Sequence, residues 1–302
     1  MSTVIDVSIA QSTPTIARRN GFWRHLGRVL VRKPSRMLGA IIVVVFIFAA
    51  LFGPLLYPGH LATDSNLLFA EPTWAHPLGT DFEGADVLAL LVTGTQYVLS
   101  AAALASIFTV ILGATIGLYA GFRRGLPDSL LMRLTDLVLT IPGFPLLLVL
   151  STVWKFGSPW AMGLVLGLTG WGGLARSVRA QTMSLRERGF VEAARGLGFS
   201  TRHVIWKELL PNMAPYVAMN LLIGVTSFIY AQVGLFYLGV LPFTSSNWGV
   251  MIQLAVNNGV TITGTGLPYL LAPLAAILIL TLGVVLIVDA LDEVFNPRLR
   301  AQ

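Results

Sequence analysis

The stretch that decides the fold is Val191–Pro215, VEAARGLGFSTRHVIWKELLPNMAP, because it is polar and rich in helix formers within a chain that is otherwise mostly apolar. From Leu209 to Val288 the sequence contains no Asp, Glu, Lys or Arg. A charged helical segment directly before so long an uncharged run indicates that the two parts of the chain face different solvents.

The overall composition identifies the apolar solvent as a lipid bilayer. The chain has 302 residues, of which 55% are hydrophobic and 11% are charged, and its mean hydropathy is +0.76. A soluble domain carries about 25% charged residues. Backbone groups inside hydrocarbon must be hydrogen-bonded within the protein, so the sequence predicts an all-α integral membrane protein.

Six segments are long and apolar enough to be predicted as membrane-spanning helices, since about 20 apolar residues cross a ~30 Å hydrocarbon core. They are Leu38–Tyr57, Val98–Phe122, Leu134–Trp154, Trp160–Ala180, Ala214–Gly239 and Leu270–Ala290. The polar leader before the first segment is too long for the n-region of a signal peptide, so this segment is predicted to remain as an uncleaved anchor.

The charges are distributed as a membrane topology predicts. The formal net charge is +6, and all of the 20 Lys and Arg residues except Lys155 lie in four groups: the N-terminal tail, the loop after the second span, the stretch from Arg176 to Lys207, and the C-terminus. The segment 58–90 has five acidic residues and no Lys or Arg. By the positive-inside rule, both termini and 181–212 are predicted to be cytoplasmic. Because topology accounts for the basic excess, no nucleic-acid partner is predicted.

The opening stretch is predicted to form two short helices joined at a glycine. Leu185–Leu197 consists mostly of strong helix formers, and Gly198 offers a left-handed stop. Ser200 is a good N-cap for a second helix, Thr201–Leu210, which Pro211 is expected to end. An amphipathic loop lying on the membrane surface is the alternative interpretation.

The spacing within this segment resembles the cytoplasmic EAA loop of ABC importer permeases. Glu192-Ala193-Ala194 is followed after three residues by Gly198, and the segment closes on Leu210-Pro211. The resemblance extends over about residues 76–300. The motif His76-Pro77-Leu78-Gly79-Thr80-Asp81 and the tail Asn296-Pro297-Arg298-Leu299 are similar to the C-type permease of dipeptide and oligopeptide importers. At Gln232 that subfamily usually has glutamate.

The resemblance implies the type I ABC importer permease fold, with six transmembrane helices and cytoplasmic coupling helices. It implies a cytoplasmic tail (1–36), a first transmembrane anchor (37–57), an extracytoplasmic loop (58–92), a permease transmembrane domain (93–291) containing the coupling loop (185–212), and a cytoplasmic C-terminal tail (292–302).

The function implied is that of a permease subunit in an ATP-driven peptide importer of a bacterial or archaeal cytoplasmic membrane. The expected partners are a sister permease in a heterodimer, two ATP-binding subunits or domains, an extracytoplasmic solute-binding protein, the peptide substrate and the lipid bilayer. No cofactor is expected on this chain, and ATP and Mg would be bound by the ATP-binding subunits. The residues expected to couple to the ATPase are Glu192, Ala193, Ala194, Arg195, Gly198, Leu210 and Pro211.

Other residues have two open interpretations. Pro142, Asn220, Ser227, Tyr230 and Gln232 either line the translocation path or pack helices together. Glu192 either makes a charged contact, with a partner or with Arg188 and Arg195, or forms only a solvated pair within its helix. The stripe Gly113, Gly117 and Gly121 predicts close helix contact, and Asp136 and Asp289 are predicted to pair with arginines or to cap helices at the inner side.

Competing function classes are less well supported. The chain has no G-x-x-x-x-G-K-[ST] motif, so it lacks a phosphate cradle of that type. It has no cysteine, and its four histidines are scattered over both predicted sides, so neither a metal site nor a catalytic site is expected. An ion-gradient-driven secondary transporter would need charged residues within spans, and the predicted fifth span has none. Importers of nickel or glutathione remain alternatives to a peptide importer.

Overall fold

The computed structural model describes residues 27, 29, 31, 33–57, 63–153, 158–240 and 247–295. Its helices are α1 (Pro34–Leu56), α2 (Val87–Arg123), α3 (Leu126–Thr140), α4 (Gly143–Val153), α5 (Pro159–Leu185), α6 (Gly189–Gly196), α7 (Thr201–His203), a π-helix (Val204–Leu209), α8 (Leu210–Tyr237), α9 (Trp248–Asn257), α10 (Val260–Thr263) and α11 (Leu267–Phe295). Most of the predicted tails 1–36 and 292–302 lies outside the described residues.

The helices confirm the predicted all-α membrane fold class. Within the described ranges, four helices are long and apolar enough to cross a membrane: α1, α2, the continuous helix Thr201–Tyr237, and α11. The pair α3 and α4 adds a fifth if it is counted as one bent span. The predicted fourth span lies in α5, whose glycines and arginines lower its hydropathy, so the count of six remains a prediction.

The predicted third span, Leu134–Trp154, is not one continuous helix. α3 ends at Thr140, α4 begins at Gly143, and the two helices are bent by 77° at the break. The residue before a proline disfavours helical geometry, and Ile141, directly before Pro142, is extended with φ −86° and ψ 119°. Trp154, the predicted end of the span, lies outside the described residues.

The expected helix end at Pro211 is also wrong. The π-helix Val204–Leu209 continues directly into α8, so the backbone is helical from Thr201 to Tyr237. The Leu210 N–H donates to the carbonyl of Ile205, five residues back. Proline lacks an N–H, and its ring clashes with the preceding turn of an α-helix. Directly before Pro211 the turns are wider π turns, so the hydrogen-bond register there differs from that of an α-helix.

The helices α2 and α5 pack closely along the glycine stripe, as the sequence predicts. A Cβ atom at Gly117 would lie 2.5 Å from the carbonyl oxygen of Ala175, and one at Gly121 would lie 2.7 Å from that of Arg179. Gly113 faces the side chain of Leu174. Side chains any larger at these positions would separate the two backbones.

Ion pairs join helices at the predicted inner side. Asp136 on α3 accepts from Arg176 on α5 at 2.6 Å, and Asp289 on α11 accepts from Arg36 on α1 at 3.3 Å. The predicted pairing of both aspartates with arginines is therefore confirmed. Arg179 forms a further two-atom contact with Asp128, with N···O distances of 2.5 and 2.7 Å.

Candidate coupling segment and path residues

The helix α6 has one face buried against its own chain and another exposed. Val191 and Ala194 are buried in a cluster with Phe122 of α2 and Val178 of α5. Glu192 and Ala193 are exposed. Ala193 can therefore approach a partner directly, whereas Ala194 packs inside the chain because it is three residues after Val191 and shares its face.

Gly198 ends α6 as the sequence predicts. Its φ is +77°, in the left-handed region that glycine adopts without strain. The Gly198 N–H donates to the Arg195 carbonyl at 2.9 Å, and the Phe199 N–H donates to the Ala194 carbonyl at 3.1 Å. These two bonds form a Schellman motif, which fixes the direction in which the chain leaves α6.

The return helix starts at the predicted cap. The Ser200 hydroxyl accepts a hydrogen bond from the His203 N–H at 3.3 Å. Val204, Ile205 and Leu209 are buried in the same cluster as Val191. Leu210 is half-buried and Pro211 is exposed, and both lie where the π-helix passes into α8. The segment is thus anchored by apolar contacts on both sides of Gly198.

The charged residues of α6 do not pair with one another. Within the described part of the chain, Glu192 forms no ion pair with Arg188 or Arg195. The guanidinium of Arg195 instead lies 4.6 Å from the ring centroid of Phe122. Glu192 is therefore an exposed carboxylate on the same exposed surface as Ala193.

Sequence reasoning missed Arg186, which ties the last turns of α2 and α5 together. Its Nη1 donates to the Phe122 carbonyl at 2.7 Å. Burial lowers the pKa of the Arg186 guanidinium, and the nearby Arg124 and Arg195 lower it further. Arg124 pairs with Glu187 at 2.8 Å. The available signal was a basic residue within the predicted cytoplasmic segment 181–212, where the positive-inside rule already accounts for basic residues.

The candidate path residues do not all come together. Asn220, Ser227 and Tyr230 lie along one side of α8, where Ser227 and Tyr230 are exposed and Asn220 is half-buried. The Tyr230 hydroxyl lies 2.9 Å from the Thr281 hydroxyl of α11. Pro142 is exposed at the bend between α3 and α4, so it belongs to a different part of the sequence from this row of α8 residues.

Gln232 belongs to the interior instead. Its side chain is fully buried, and its amide donates to the Val98 carbonyl of α2 at 2.9 Å. It lies on roughly the opposite side of α8 from Tyr230, since two residues turn a helix by about 200°. Of the two interpretations open for Gln232, the structure favours helix packing, because its side chain forms a contact between α2 and α8.

The segment before α2 folds into a compact cap. Thr80 and Asp86 form a β-bridge. The Asp86 carboxylate accepts from the Ala89 N–H at 3.0 Å and lies 2.8 Å from the His76 ring. Asp81 accepts from the Glu83 and Ala85 N–H groups, while its burial raises the pKa of its carboxyl group. The motif His76–Asp81 thus builds the N-terminal cap of a spanning helix.

Across residues 33–57, 63–153, 158–240 and 247–295, no three His, Asp or Glu side chains come together in a way that holds a metal ion. Several carboxylates there are engaged in the ion pairs and helix caps described above, among them Asp86, Asp128 and Asp136.

Comparison with known proteins assigns the family. Residues 113–301, which include α6, the π-helix and α8, match the binding-protein-dependent transport system inner membrane component. The chain belongs to this family. Residues 21–72 match the N-terminal transmembrane domain of oligopeptide transport permease C. As a member of this family, the chain is a multi-pass inner-membrane component of a transport system that works with a binding protein.

Similar proteins in this family cover most of the chain. A peptide permease protein of Brucella suis biovar 1, described as putative, is 31% identical over 96% of this chain and 94% of its own length. The oligopeptide transport system permease protein OppC of Mycobacterium tuberculosis is 33% identical over 87% of this chain and 89% of its own length. The OppC protein of Bacillus subtilis is 29% identical over 87% and 86%.

Proposed function

We propose that this chain is the transmembrane permease subunit of an ATP-driven ABC importer for peptides. It forms half of the translocation pathway and couples to separate ATP-binding subunits. Membership of the inner-membrane component family supports the transport role. The peptide substrate is supported by relatives named as peptide and oligopeptide permeases, which match the chain over most of its length.

The observation that carries the coupling role is that α6 packs on one face and is exposed on the other. Val191 and Ala194 hold it against α2 and α5, while Glu192 and Ala193 remain exposed. A helix held this way moves together with the spanning helices and still presents a surface to a partner. A partner that binds this surface with different affinity in two states shifts the permease between two states by that difference.

In this proposal the remaining machinery lies on other chains. A sister permease supplies the other half of the pathway, two ATP-binding subunits or domains bind ATP and Mg, and a solute-binding protein delivers the peptide from outside. This chain binds no cofactor and has no ATPase site. It lies in the cytoplasmic membrane of a bacterium or archaeon with both termini in the cytoplasm. The row Asn220, Ser227 and Tyr230 lines the pathway, and Pro142 contributes separately from the bend between α3 and α4.

The test replaces an exposed residue of α6 by a large one. Ala193→Trp is expected to abolish copurification of the ATP-binding subunit and peptide uptake, with the thermal stability of the chain unchanged. Ser129→Trp, at an exposed position of α3, is the matched control and should leave both intact. Unchanged copurification and uptake in Ala193→Trp contradict the coupling role. Uptake driven by a proton gradient without ATP contradicts the importer class.

The substrate needs a separate measurement. The binding protein that copurifies with the chain should be isolated and its bound ligand identified by mass spectrometry. A peptide supports the proposal. If the binding protein holds glutathione or nickel, the proposed permease role stands and the proposed peptide substrate is wrong.

A further inference from the structure

A cavity of about 260 Å³ lies between α6 and the ends of α2 and α5. Its lining residues are Phe122, Arg123, Arg186, Arg195, Phe199, Thr201 and Val204, and we call it the arginine pocket. A water molecule takes about 30 Å³ in the liquid, so the cavity has room for a small anionic group and several waters. Three of its seven lining residues are arginines.

The positive charge around the pocket is only partly balanced by the described residues. Glu187 is the one carboxylate paired there: it accepts from Arg124 at 2.8 Å and lies 3.8 Å from the Arg186 Nε. That Nε is buried and has no hydrogen-bond partner among the described residues. Arg123 and Arg195 contact aromatic rings, Tyr119 and Phe122 respectively, instead of carboxylates. An anion in the pocket would therefore meet uncompensated donors.

The guanidinium groups are also held in position. Arg186 is fixed by its bond to the Phe122 carbonyl, and Arg195 lies over the Phe122 ring. Fixed guanidinium groups bind phosphate well because their planar donors match its oxygens in pairs. Burial lowers the pKa of Arg186, and the neighbouring charges of Arg124 and Arg195 lower it further. The positive charge of Arg186 is therefore poorly stabilised by the surrounding residues, and a bound anion would stabilise it.

The position of the pocket favours a lipid as the source of the phosphate. α2 is a candidate membrane span and ends at Arg123, so the pocket lies at the end of a span on the predicted cytoplasmic side. Large apolar side chains are exposed beside it, with Leu197 75% and Phe199 45% exposed. Basic pockets between helices at this level, flanked by apolar side chains, suit the headgroups and acyl chains of anionic lipids.

We propose that the arginine pocket binds the phosphate group of an anionic phospholipid from the predicted cytoplasmic leaflet. The lipid bridges Arg195 of α6 to Arg123 and Arg186 at the ends of α2 and α5. Its presence strengthens the contact between the coupling segment and the spanning helices, whatever solute the transporter carries.

The test uses the full chain, purified in detergent with its copurifying subunits. Added phosphatidylglycerol is expected to raise the thermal unfolding midpoint and to remain bound in native mass spectrometry, whereas phosphatidylcholine does neither. Arg186→Gln and Arg123→Gln should each weaken phosphatidylglycerol binding roughly fivefold, the effect of one basic residue near an anionic surface. Arg133→Gln, an exposed arginine of α3 outside the pocket, is the control and should bind normally.

Two variants are needed because Arg186 also supports the Phe122 carbonyl. Arg123 makes no such bond within the described residues, so weaker binding in Arg123→Gln cannot be attributed to that lost contact. If inorganic phosphate stabilises the complex as much as phosphatidylglycerol does, the pocket binds a soluble anion and the lipid proposal is overturned. The proposal would be overturned if all variants bound phosphatidylglycerol equally. It would also be overturned if Arg123→Gln lost the ATP-binding subunit but kept normal phosphatidylglycerol binding.

Discussion

The Nη2 atom of Arg36 lies 2.5 Å from the Oε2 atom of Glu293, so an ion pair ties the first turn of α1 to the last turn of α11. The Arg36 side chain is 3% exposed and that of Glu293 is 14% exposed, whereas the second acidic partner, Asp289, is 64% exposed. Burial makes the two carboxylates unequal: Glu293 is the main partner of a buried charge, and Asp289 is largely screened by solvent.

This inequality predicts different costs for two neutral substitutions. Glu293→Gln leaves the Arg36 charge buried without its closest partner, and we expect a loss of about 3–5 kcal/mol in the free energy of unfolding. Asp289→Asn should cost less than about 1 kcal/mol. Thermal unfolding of the purified complex in detergent measures both. Equal shifts in the two variants would show that burial does not distinguish the carboxylates.

The left-handed turn at Gly198 predicts a second pair of variants. Gly198→Ala has open space for its methyl group but forces a side chain into a φ of +77°, and it should destabilise the chain by about 1–2 kcal/mol. Gly196→Ala also has open space and sits in α6 itself, where alanine is favoured by up to about 1 kcal/mol. Peptide-stimulated ATP hydrolysis should fall in the first variant only. Activity equal in both would mean that the direction of the turn is unimportant.

The contact between α2 and α5 predicts a large effect from a single methyl group. Gly117→Ala places a Cβ atom 2.5 Å from the Ala175 carbonyl oxygen, so the two backbones must separate, at a cost of about 1–3 kcal/mol. Gly173→Ala, on α5 with nothing within 4 Å, is the control and should be tolerated. The yield of folded protein and its unfolding midpoint report the difference. A tolerated Gly117→Ala would contradict the close packing.

The buried carboxyl group of Asp81 predicts a pH dependence. Burial raises its pKa in the folded state above the ordinary value of about 3.9, so the folded chain holds this proton more tightly than the unfolded chain. Stability from this group is therefore present at low pH and falls as pH rises from about 3.9 through the raised pKa. Asp81→Asn keeps an oxygen for the Glu83 and Ala85 N–H groups and should remove that part of the slope. Unfolding followed against pH measures the slope, and an unchanged slope in Asp81→Asn would contradict this role of the buried carboxyl group.

The sequence alone was sufficient for features that depend on local patterns. Apolar run length identified the spanning helices α1, α2, α8 and α11, and spacing by four residues identified the glycine stripe. Ser200 and Gly198 were found because capping and left-handed turns have strong residue preferences. The pairing of Asp136 and Asp289 with arginines followed from the cost of leaving a charge unpaired at a membrane boundary.

Features that depend on neighbouring helices could not be predicted in the same way. Pro142 and Pro211 both disfavour a continuous helix on local grounds. The helix nevertheless ends only before Pro142, whereas at Pro211 it continues from the preceding π turns. Gln232 is polar in an apolar helix, and only the position of the Val98 carbonyl shows that it faces inward. Ala193 and Ala194 are identical residues, yet Ala194 is buried and Ala193 is exposed. The difference depends on which side of α6 packs against α2 and α5.

The unbroken helix from Thr201 to Tyr237 has a mechanical meaning. Its 37 residues span about 55 Å at 1.5 Å per residue. Near its middle the Ser106 hydroxyl of α2 donates to the Leu221 carbonyl at 2.6 Å, and Gly224 lets the two helices touch. The Gln232 amide contacts the Val98 carbonyl of α2 farther along the same helix, so we expect a displacement at the Ser200 end to be carried through these contacts to Tyr230 and Thr281.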